Sequence, residues 1–265
     1  MRFRSRLFLA VNVSFRSLLQ FKTQNSKIRI AMRRRFIADE INGARAALTG
    51  AHAAHLVRVL RARVGQQFDI ATGDTVRRGT VSLIASEDRV EFDLGETVES
   101  SQLSDITLLL AIFKFDRLEW AIEKCTELGV ARIIPVMARR TEVHLAKAAE
   151  KRVERWRRIA VQASEQSRRT AVPAIDDPVK LSREFLSRFS STRIVLSERE
   201  ENATLRELVD RNDSESLALA VGPEGGWTSE ELQMFSECGW LSASLGPTIL
   251  RAETAAIAAL AIAAQ

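Results

Sequence analysis

From residue 106 onward, short apolar runs alternate with stretches in which apolar residues recur every three or four positions. Residues 106–113 form an almost unbroken apolar run, the pattern expected of a strand covered on both faces. Similar runs predict strands at 132–137, 194–196, 217–221 and 241–245. Between them, the helical spacing predicts a long helix over 149–169 and a last helix over 252–264. This alternation favours an α/β domain with a mostly parallel sheet and helices on both faces.

Capping patterns mark where several of these helices begin. A Ser, Thr or Asp followed three residues later by Glu satisfies free N–H groups at a helix start. Such pairs are Asp116 with Glu119, Thr204 with Glu207, and Thr228 with Glu231. Gly129 is expected to end the first of these helices.

Residues 33–98 have a different pattern, in which strands dominate. Alternating apolar residues predict strands at 67–71, 76–84 and 89–94, separated by turn-forming residues. A helix over about 52–63 is predicted to place Leu56, Val59 and Leu60 on its inner face. The polar residues 96–105 are interpreted as a linker, which divides the chain into two domains.

Charge is concentrated at the start of the chain. The formal charge is +5, yet residues 1–31 hold seven bases and no acid, and the remainder holds 32 bases against 34 acids. The basic stretch is consistent with a transit peptide, with a basic arm that touches RNA, or with an upstream start-site artefact, since Met32 opens Met-Arg-Arg-Arg-Phe. Net charge alone does not support nucleic-acid binding by the rest of the chain.

The cysteine and apolar content limits the setting. Cys125 and Cys238 lie far apart and show no metal-binding spacing, and the histidines form no metal-type pair, so no metal is predicted. No apolar run is long enough to span a bilayer. We therefore expect a cytoplasmic protein without a membrane partner, or an organellar one if residues 1–31 are a transit peptide.

Three polar segments are candidates for chemistry. Residues 222–227, Gly-Pro-Glu-Gly-Gly-Trp, and residues 245–255 each follow a predicted strand and precede a helix, where ligands of α/β sheets bind. The alternatives are a tight turn without a ligand and, in the second loop, a Glu253 that complements the helix N-terminus and pairs with Arg251. The third segment, 165–169, closes the long helix with Arg168 and Arg169, which could equally be ordinary cations at a helix end.

These segments occur in a fixed order that resembles one known family. The set comprises His-Leu-Val-Arg-Val-Leu-Arg at 55–61, Phe-Lys-Phe-Asp-Arg-Leu-Glu at 113–119, Glu-Lys-Cys-Thr-Glu-Leu-Gly-Val at 123–130, Arg-Thr at 140–141, Glu-Gln-Ser-Arg at 165–168, Gly-Pro-Glu-Gly-Gly at 222–226, and Leu-Gly-Pro-Thr-Ile-Leu-Arg-Ala-Glu-Thr-Ala at 245–255. Together they resemble the ribosomal RNA small-subunit methyltransferase E family over about residues 32–265.

The resemblance implies an architecture and an activity. Residues 32–100 would form a PUA-like β-barrel that binds RNA. Residues 101–265 would form a SPOUT domain with a trefoil knot, a rare exception to the usual topology rules. The family is homodimeric and transfers a methyl group from S-adenosylmethionine (SAM) to N3 of a uridine in 16S ribosomal RNA.

The resemblance also assigns roles to residues. Expected cofactor-binding residues are Leu196, Gly222, Pro223, Glu224, Gly225, Gly226, Leu245, Gly246, Pro247, Leu250, Thr254 and Ala255. Expected catalytic residues are Arg168 and Arg251, which would stabilise a uracil anion, and Glu253, a candidate proton acceptor beside direct proton loss to water. Expected RNA contacts are Arg58, Arg61, Lys114, Arg140 and Gln166. For Arg58 and Arg61, a solvated helix face is the alternative.

Two other functions compete with this one. A non-catalytic RNA-binding or ribosome-assembly protein could keep the same fold, although intact loops argue against it. A nucleotide- or nicotinamide-dependent α/β enzyme would be expected to carry Gly-x-Gly-x-x-Gly after the first strand of the second domain. That pattern is absent there.

Overall fold

The computed structural model describes residues 35–264 except 74, 101–104 and 212–215, and leaves the side chains of residues 99 and 100 undescribed. Residues 1–31, with their three interpretations, lie outside the described residues. Arg35–Gln265 form one compact unit. Among the described residues, no helix is long and apolar enough to cross a membrane. The same residues contain no group of three or more His, Cys, Asp or Glu side chains arranged to hold a metal ion.

A six-stranded sheet occupies the first part of the described chain. Its strands are β1 (Arg35–Ile37), β2 (Glu40–Asn42), β3 (Arg45–Thr49), β4 (Gln67–Ala71), β5 (Thr75–Ser86) and β6 (Arg89–Ser100). They run in the order β1-β4-β5-β6-β3-β2, and the described pairs are antiparallel except β1 with β4. The three predicted strands are confirmed, whereas β1–β3 were missed.

The linker predicted over 96–105 is wrong over its first five residues and at Asp105, which begins the next strand. β6 continues to Ser100, because β5 pairs with it along almost its whole length, as far as Thr75 with Ser100. The Arg77 guanidinium donates to the carbonyls of Leu94 and Gly95 at 3.0 Å. Cross-strand pairing therefore overrides the polar composition from which a linker was predicted.

The helix between β3 and β4 is shorter than predicted. It consists of α1 (Gly50–Ala54) followed by one π-helical turn, His55–Val59. Arg61 has a left-handed φ of 52°, which ends the helix before residue 63. Leu56 is fully buried as predicted, but the prediction for Val59 is wrong, since it is 64% exposed.

A second, parallel sheet forms the rest of the molecule. Its strands are β7 (Asp105–Ala111), β8 (Arg132–Met137), β9 (Ala174–Ile175), β10 (Val179–Lys180), β11 (Thr192–Leu196), β12 (Ser216–Val221) and β13 (Leu241–Ala243). They run in the order β10-β8-β7-β12-β11-β13, with β9 paired to β8, and the pairs among these described strands are parallel. The predicted parallel α/β architecture is confirmed.

Helices connect these strands. They are α2 (Phe115–Glu127), α3 (Val143–Ala149), a 3₁₀ turn (Glu150–Arg152), α4 (Val153–Gln166), α5 (Arg183–Leu186), α6 (Leu205–Asp210), α7 (Ser229–Glu237) and α8 (Ala252–Ala263). Complete capping boxes at Thr204 and Thr228 confirm two predicted starts. The third is wrong: Lys114 is the N-cap of α2, and Asp116 lies in its first turn.

The long helix predicted over 149–169 is also wrong in its bounds. It is divided by the 3₁₀ turn, and α4 ends at Gln166. Arg168 then adopts a left-handed φ of 58°, a conformation that no helix continues through. Arg168 and Arg169 therefore follow the helix instead of lying within it.

The second sheet has a separate apolar core on each face. Leu108 and Leu110 pack with residues of α2, α4 and α8. Leu109 and Ala111, which point to the opposite face, pack with Trp227 and other residues of the second cluster. Because both faces are covered, polar chemistry is confined to the loops at the strand ends.

Candidate ligand site at the ends of three strands

Three loops meet at the carboxyl ends of the adjacent strands β12, β11 and β13. They enclose a cavity of about 260 Å³. It is lined by Leu196, Ser197, Glu198, Val221 to Trp227, Ala243 to Leu250, Ala252 and Ala255. The carboxyl end of a parallel sheet is where α/β folds bind ligands. The two Gly-Pro loops singled out in the sequence are two of the three walls.

Two glycines of the loop after β12, residues 222–227 and hereafter the middle loop, lie close to neighbouring side chains. At Gly226, which has a φ of 68°, an added Cβ would lie 2.4 Å from a Glu198 carboxylate oxygen. At Gly222, an added Cβ would lie 3.2 Å from the Trp227 ring. The positive φ of Gly226 favours glycine at that position, and both glycines line the cavity.

Contacts to Arg139 and Arg140, which follow β8, hold the middle loop. The Glu231 carboxylate accepts from the backbone N–H of Arg139 at 2.7 Å and from that of Thr228 at 2.8 Å. The Arg140 guanidinium donates to the carbonyl of Gly225. The loop geometry is therefore set by charge-assisted hydrogen bonds in the folded chain, before any ligand binds.

Arg117 of α2 joins the middle loop to the start of α8. Its Nη1 lies 2.9 Å from Glu224 Oε1, and its Nε lies 3.7 Å from Glu253 Oε1. Glu253 is 5% exposed, and its Oε2 has no hydrogen-bond partner within the described residues. The predicted alternative pairing of Glu253 with Arg251 is wrong, because the cation beside Glu253 is Arg117.

Arg251 occupies a different environment from Glu253. It is the N-cap of α8 and is exposed. In the part of the chain that the structure describes, its guanidinium has no ion-pair or hydrogen-bond partner. It directly follows the loop that ends at Leu250, so an unpaired guanidinium stands next to the cavity wall.

Most of the expected cofactor-binding residues come together in this cavity. Those that line it are Leu196, Gly222, Pro223, Glu224, Gly225, Gly226, Leu245, Gly246, Pro247, Leu250 and Ala255. Thr254 is exposed and does not line it. Trp227, the last residue of the segment 222–227 that the sequence pattern indicates, also lines the cavity, whereas Glu198 was not among the expected site residues.

The third segment lies against the first sheet. The carbonyl of Arg168 accepts from the Arg35 guanidinium, and Glu165 Oε1 lies 3.5 Å from His52 Nε2. Arg168 and Gln166 are exposed. Arg169 is buried and donates to the carbonyls of Thr126 and Ala171, and burial lowers its pKa to about 10.

The expected RNA contacts are spread over several elements. Arg58 pairs with Glu87, so its guanidinium is partly engaged within the molecule. Arg61, Lys114 and Arg140 are exposed. Of these, Arg140 contacts the Gly225 carbonyl in the middle loop.

The fold and the cavity define an α/β domain with a ligand site at the carboxyl ends of its parallel strands. Residues 99–264 match the family model of the RNA methyltransferase domain. The ribosomal RNA small subunit methyltransferase E of Bacillus subtilis is 34% identical over 80% of this chain and 87% of its own length. That of Synechocystis is 33% identical over 84% and 74%. The chain belongs to the ribosomal RNA small subunit methyltransferase E family.

A solved structure agrees with this assignment. The ribosomal RNA small subunit methyltransferase E from Neisseria gonorrhoeae, bound to S-adenosyl methionine, superposes with a TM-score of 0.73 at 30% identity. The match covers 86% of this chain and 95% of that one.

Proposed function

We propose that this protein is a SAM-dependent methyltransferase that modifies N3 of a specific uridine in small-subunit, 16S ribosomal RNA. The observation that carries the proposal is the three-loop cavity at the carboxyl ends of β11, β12 and β13. It lies in a chain whose Neisseria relative was solved with SAM bound.

The cavity suits SAM in shape and in donor groups. Gly222 and Gly226 line the cavity without a side chain, and the buried Nε1 of Trp227 has no partner in the described part of the chain. Leu196, Leu245 and Leu250 supply apolar wall. Backbone groups of the loops around Gly222 and Gly246 would bind the adenine, and SAM would supply an electrophilic methyl group on its sulfonium.

The protein's own residues must prepare the uracil. N3 carries a proton and is a poor nucleophile until that proton leaves, and a paired base is inaccessible unless it is flipped out. The unpaired, exposed Arg251 is suited to stabilise the uracil anion with its fixed donor fork. Arg168 stays a second candidate for this task.

Glu253 is better suited to positioning than to proton transfer. It is buried beside Arg117 and fixes α8 to α2, so we propose that the N3 proton leaves to water. Glu253 would then keep the start of α8, and with it Arg251, in place. Arg251 and Glu253, which are two residues apart in the sequence, would therefore have different roles: Arg251 would contact the uracil and Glu253 would position Arg251.

The same proposal includes the larger architecture. The six-stranded first sheet would be the PUA-like RNA-binding barrel, over residues 32–100, and residues 101–265 the knotted SPOUT domain. The active protein would be a cytoplasmic homodimer with the cavity beside the subunit interface. Arg58, Arg61, Lys114, Arg140 and Gln166 would contact RNA.

A transfer assay tests the proposal. Purified protein is incubated with methyl-labelled SAM and small ribosomal subunits, free 16S RNA or large subunits, with all RNA taken from cells that lack this modification. We expect label in small-subunit RNA and none in large subunits. SAM binding without transfer would leave a non-catalytic RNA-binding protein, and no SAM binding would overturn the enzymatic proposal.

A further inference from the structure

The cavity contains one carboxylate whose role the fold does not explain. Glu198 follows β11 and lines the cavity with Gly226 and Trp227. The other carboxylates around the loops have partners inside the molecule: Glu224 and Glu253 face Arg117, and Glu231 accepts two backbone N–H groups. In the described part of the chain, neither a cation nor a hydrogen-bond donor pairs with Glu198.

Hydrogen bonds hold the loop backbone that carries Glu198, and the Glu198 side chain itself is exposed. Ser197 is buried and donates its N–H to the carbonyl of Ala243 at 2.9 Å, and its side chain accepts from the N–H of Arg199 at 3.2 Å. These bonds fix the backbone on both sides of Glu198. The carboxylate lies beside Gly226, in the space that a Cβ at that position would occupy.

An unpaired carboxylate at a nucleoside-sized cavity matches one chemical group in particular. Vicinal ribose hydroxyls are donors that Asp or Glu commonly accepts in α/β nucleotide sites. The neighbouring Gly-Pro loops provide backbone and apolar wall for a base. We propose that Glu198 is a cofactor-binding residue that accepts hydrogen bonds from the ribose hydroxyls of the adenosine moiety; this rests on the proposed function.

Ligand variation separates the ribose from the other donors of SAM. Binding of SAM, S-adenosylhomocysteine and methylthioadenosine is measured by calorimetry for the wild type, Glu198→Ala and Glu198→Gln. Methylthioadenosine keeps the ribose and lacks both the amino-acid group and the sulfonium charge. Glu201→Gln, an exposed acid on the same loop, is the matched control.

The expected result is a common loss for all three ligands. Because Glu198→Ala loses a hydrogen bond to a charged group, its affinity for each ligand should fall by about tenfold. The affinities of Glu201→Gln should stay unchanged. The 2′-deoxy form of methylthioadenosine should bind the wild type more weakly than methylthioadenosine, and Glu198→Ala should no longer distinguish the two. In the transfer assay, KM for SAM should rise while kcat stays close to the wild-type value.

Three outcomes would overturn the inference in distinguishable ways. Wild-type affinity in both Glu198 variants would remove any binding role. A loss for SAM and S-adenosylhomocysteine but not for methylthioadenosine would move the contact to the amino-acid ammonium. If the wild type binds none of the adenosine ligands, the proposed function fails together with the inference. Equal thermal unfolding of the isosteric Glu198→Gln and the wild type excludes misfolding as the cause.

Discussion

The two sheets bury their apolar residues in different ways. The first sheet packs around one core, in which Phe36, Phe68 and Phe92 meet edge to face, and it carries ion pairs such as Arg89 with Glu40 on its surface. The second sheet is covered on both faces by separate cores. A sheet without a free face can place ligand chemistry only at its strand ends, and the three-loop cavity lies there.

The difference predicts that damage to the two cores has separable consequences. Phe92 and Phe235 are both fully buried, but only Phe235 packs against Trp227, a cavity residue, with ring centroids 5.0 Å apart. Replacing either by Ala should lower the free energy of unfolding by about 3–5 kcal/mol.

The two Phe variants should then differ in ligand binding. Phe235→Ala should lower the affinity for SAM by about tenfold or more, and Phe92→Ala should lower it by less than about twofold. Denaturant unfolding and calorimetry measure the two effects. Equal losses of SAM affinity would show that the cavity depends on the whole molecule and that the comparison between the sheets does not hold.

The second prediction compares a buried polar contact with a surface one. Arg117→Met removes the cation from Glu224 and from the buried Glu253, and should cost about 2 kcal/mol of unfolding free energy, because a buried carboxylate loses its partner. Arg45, whose pair with Asp93 is largely exposed, serves as the control: Arg45→Met should cost less than about 1 kcal/mol.

A double variant decides where the Arg117 effect comes from. If Glu253 causes it, Glu253→Gln should remove most of the cost of Arg117→Met in a double-mutant cycle. A full and additive cost in the double variant would contradict the assignment of Arg117 as the partner of Glu253.

The third prediction compares two glycines with similar backbone strain. Gly226 and Gly43 have φ values of 68° and 59°, but an added Cβ meets Glu198 at the first and nothing within 4 Å at the second. Both changes to Ala should cost about 1–2 kcal/mol of stability. Only Gly226→Ala should also weaken SAM binding, which calorimetry on the two variants would measure; unchanged binding in Gly226→Ala would argue against a ligand at this loop.

The smallest effect concerns the contact between the two regions. His52 Nδ1 lies 2.8 Å from Asp39, and its Nε2 lies 3.5 Å from Glu165 of α4. The hydrogen bond to Asp39, helped by the charges of Asp39 and Glu165, raises the pKa of His52 above its ordinary value of 6.5. The stabilisation of the folded state by protonated His52 is therefore fully present below pH 6.5 and is lost as the pH rises through the raised pKa.

The His52 contribution should be about 0.5 kcal/mol. Unfolding curves between pH 5 and pH 8 should show it in the wild type and not in His52→Gln, whereas the exposed His55→Gln variant should follow the wild type. A pH dependence retained in His52→Gln would assign it to other groups.

The sequence predicted the second sheet better than the first for a physical reason. Parallel strands buried on both faces have continuous apolar runs, as in β7 and β12, and capping boxes such as that at Thr228 mark the helices between them. β1 and β2 are three residues long and largely exposed or half-buried, so no periodicity could identify them.

In the candidate site, too, local sequence patterns predicted some residues, whereas others are brought together only by the fold. The Gly-Pro loops could be found because Gly and Pro are local signals. The pairing of Arg117 with Glu224 and Glu253 spans more than a hundred residues and depends on how α2 packs against α8, which no local pattern encodes. Glu198 could not be found for a similar reason, since only the folded loops bring it onto Gly226.

The most direct test of the central claim is to identify the nucleoside that the protein modifies. Small subunits that lack the modification are incubated with protein and SAM, and their RNA is digested and analysed by mass spectrometry. We expect 3-methyluridine at one position of 16S RNA, and its loss with Arg251→Ala. A different methylated nucleoside, or no methylation despite SAM binding, would contradict it.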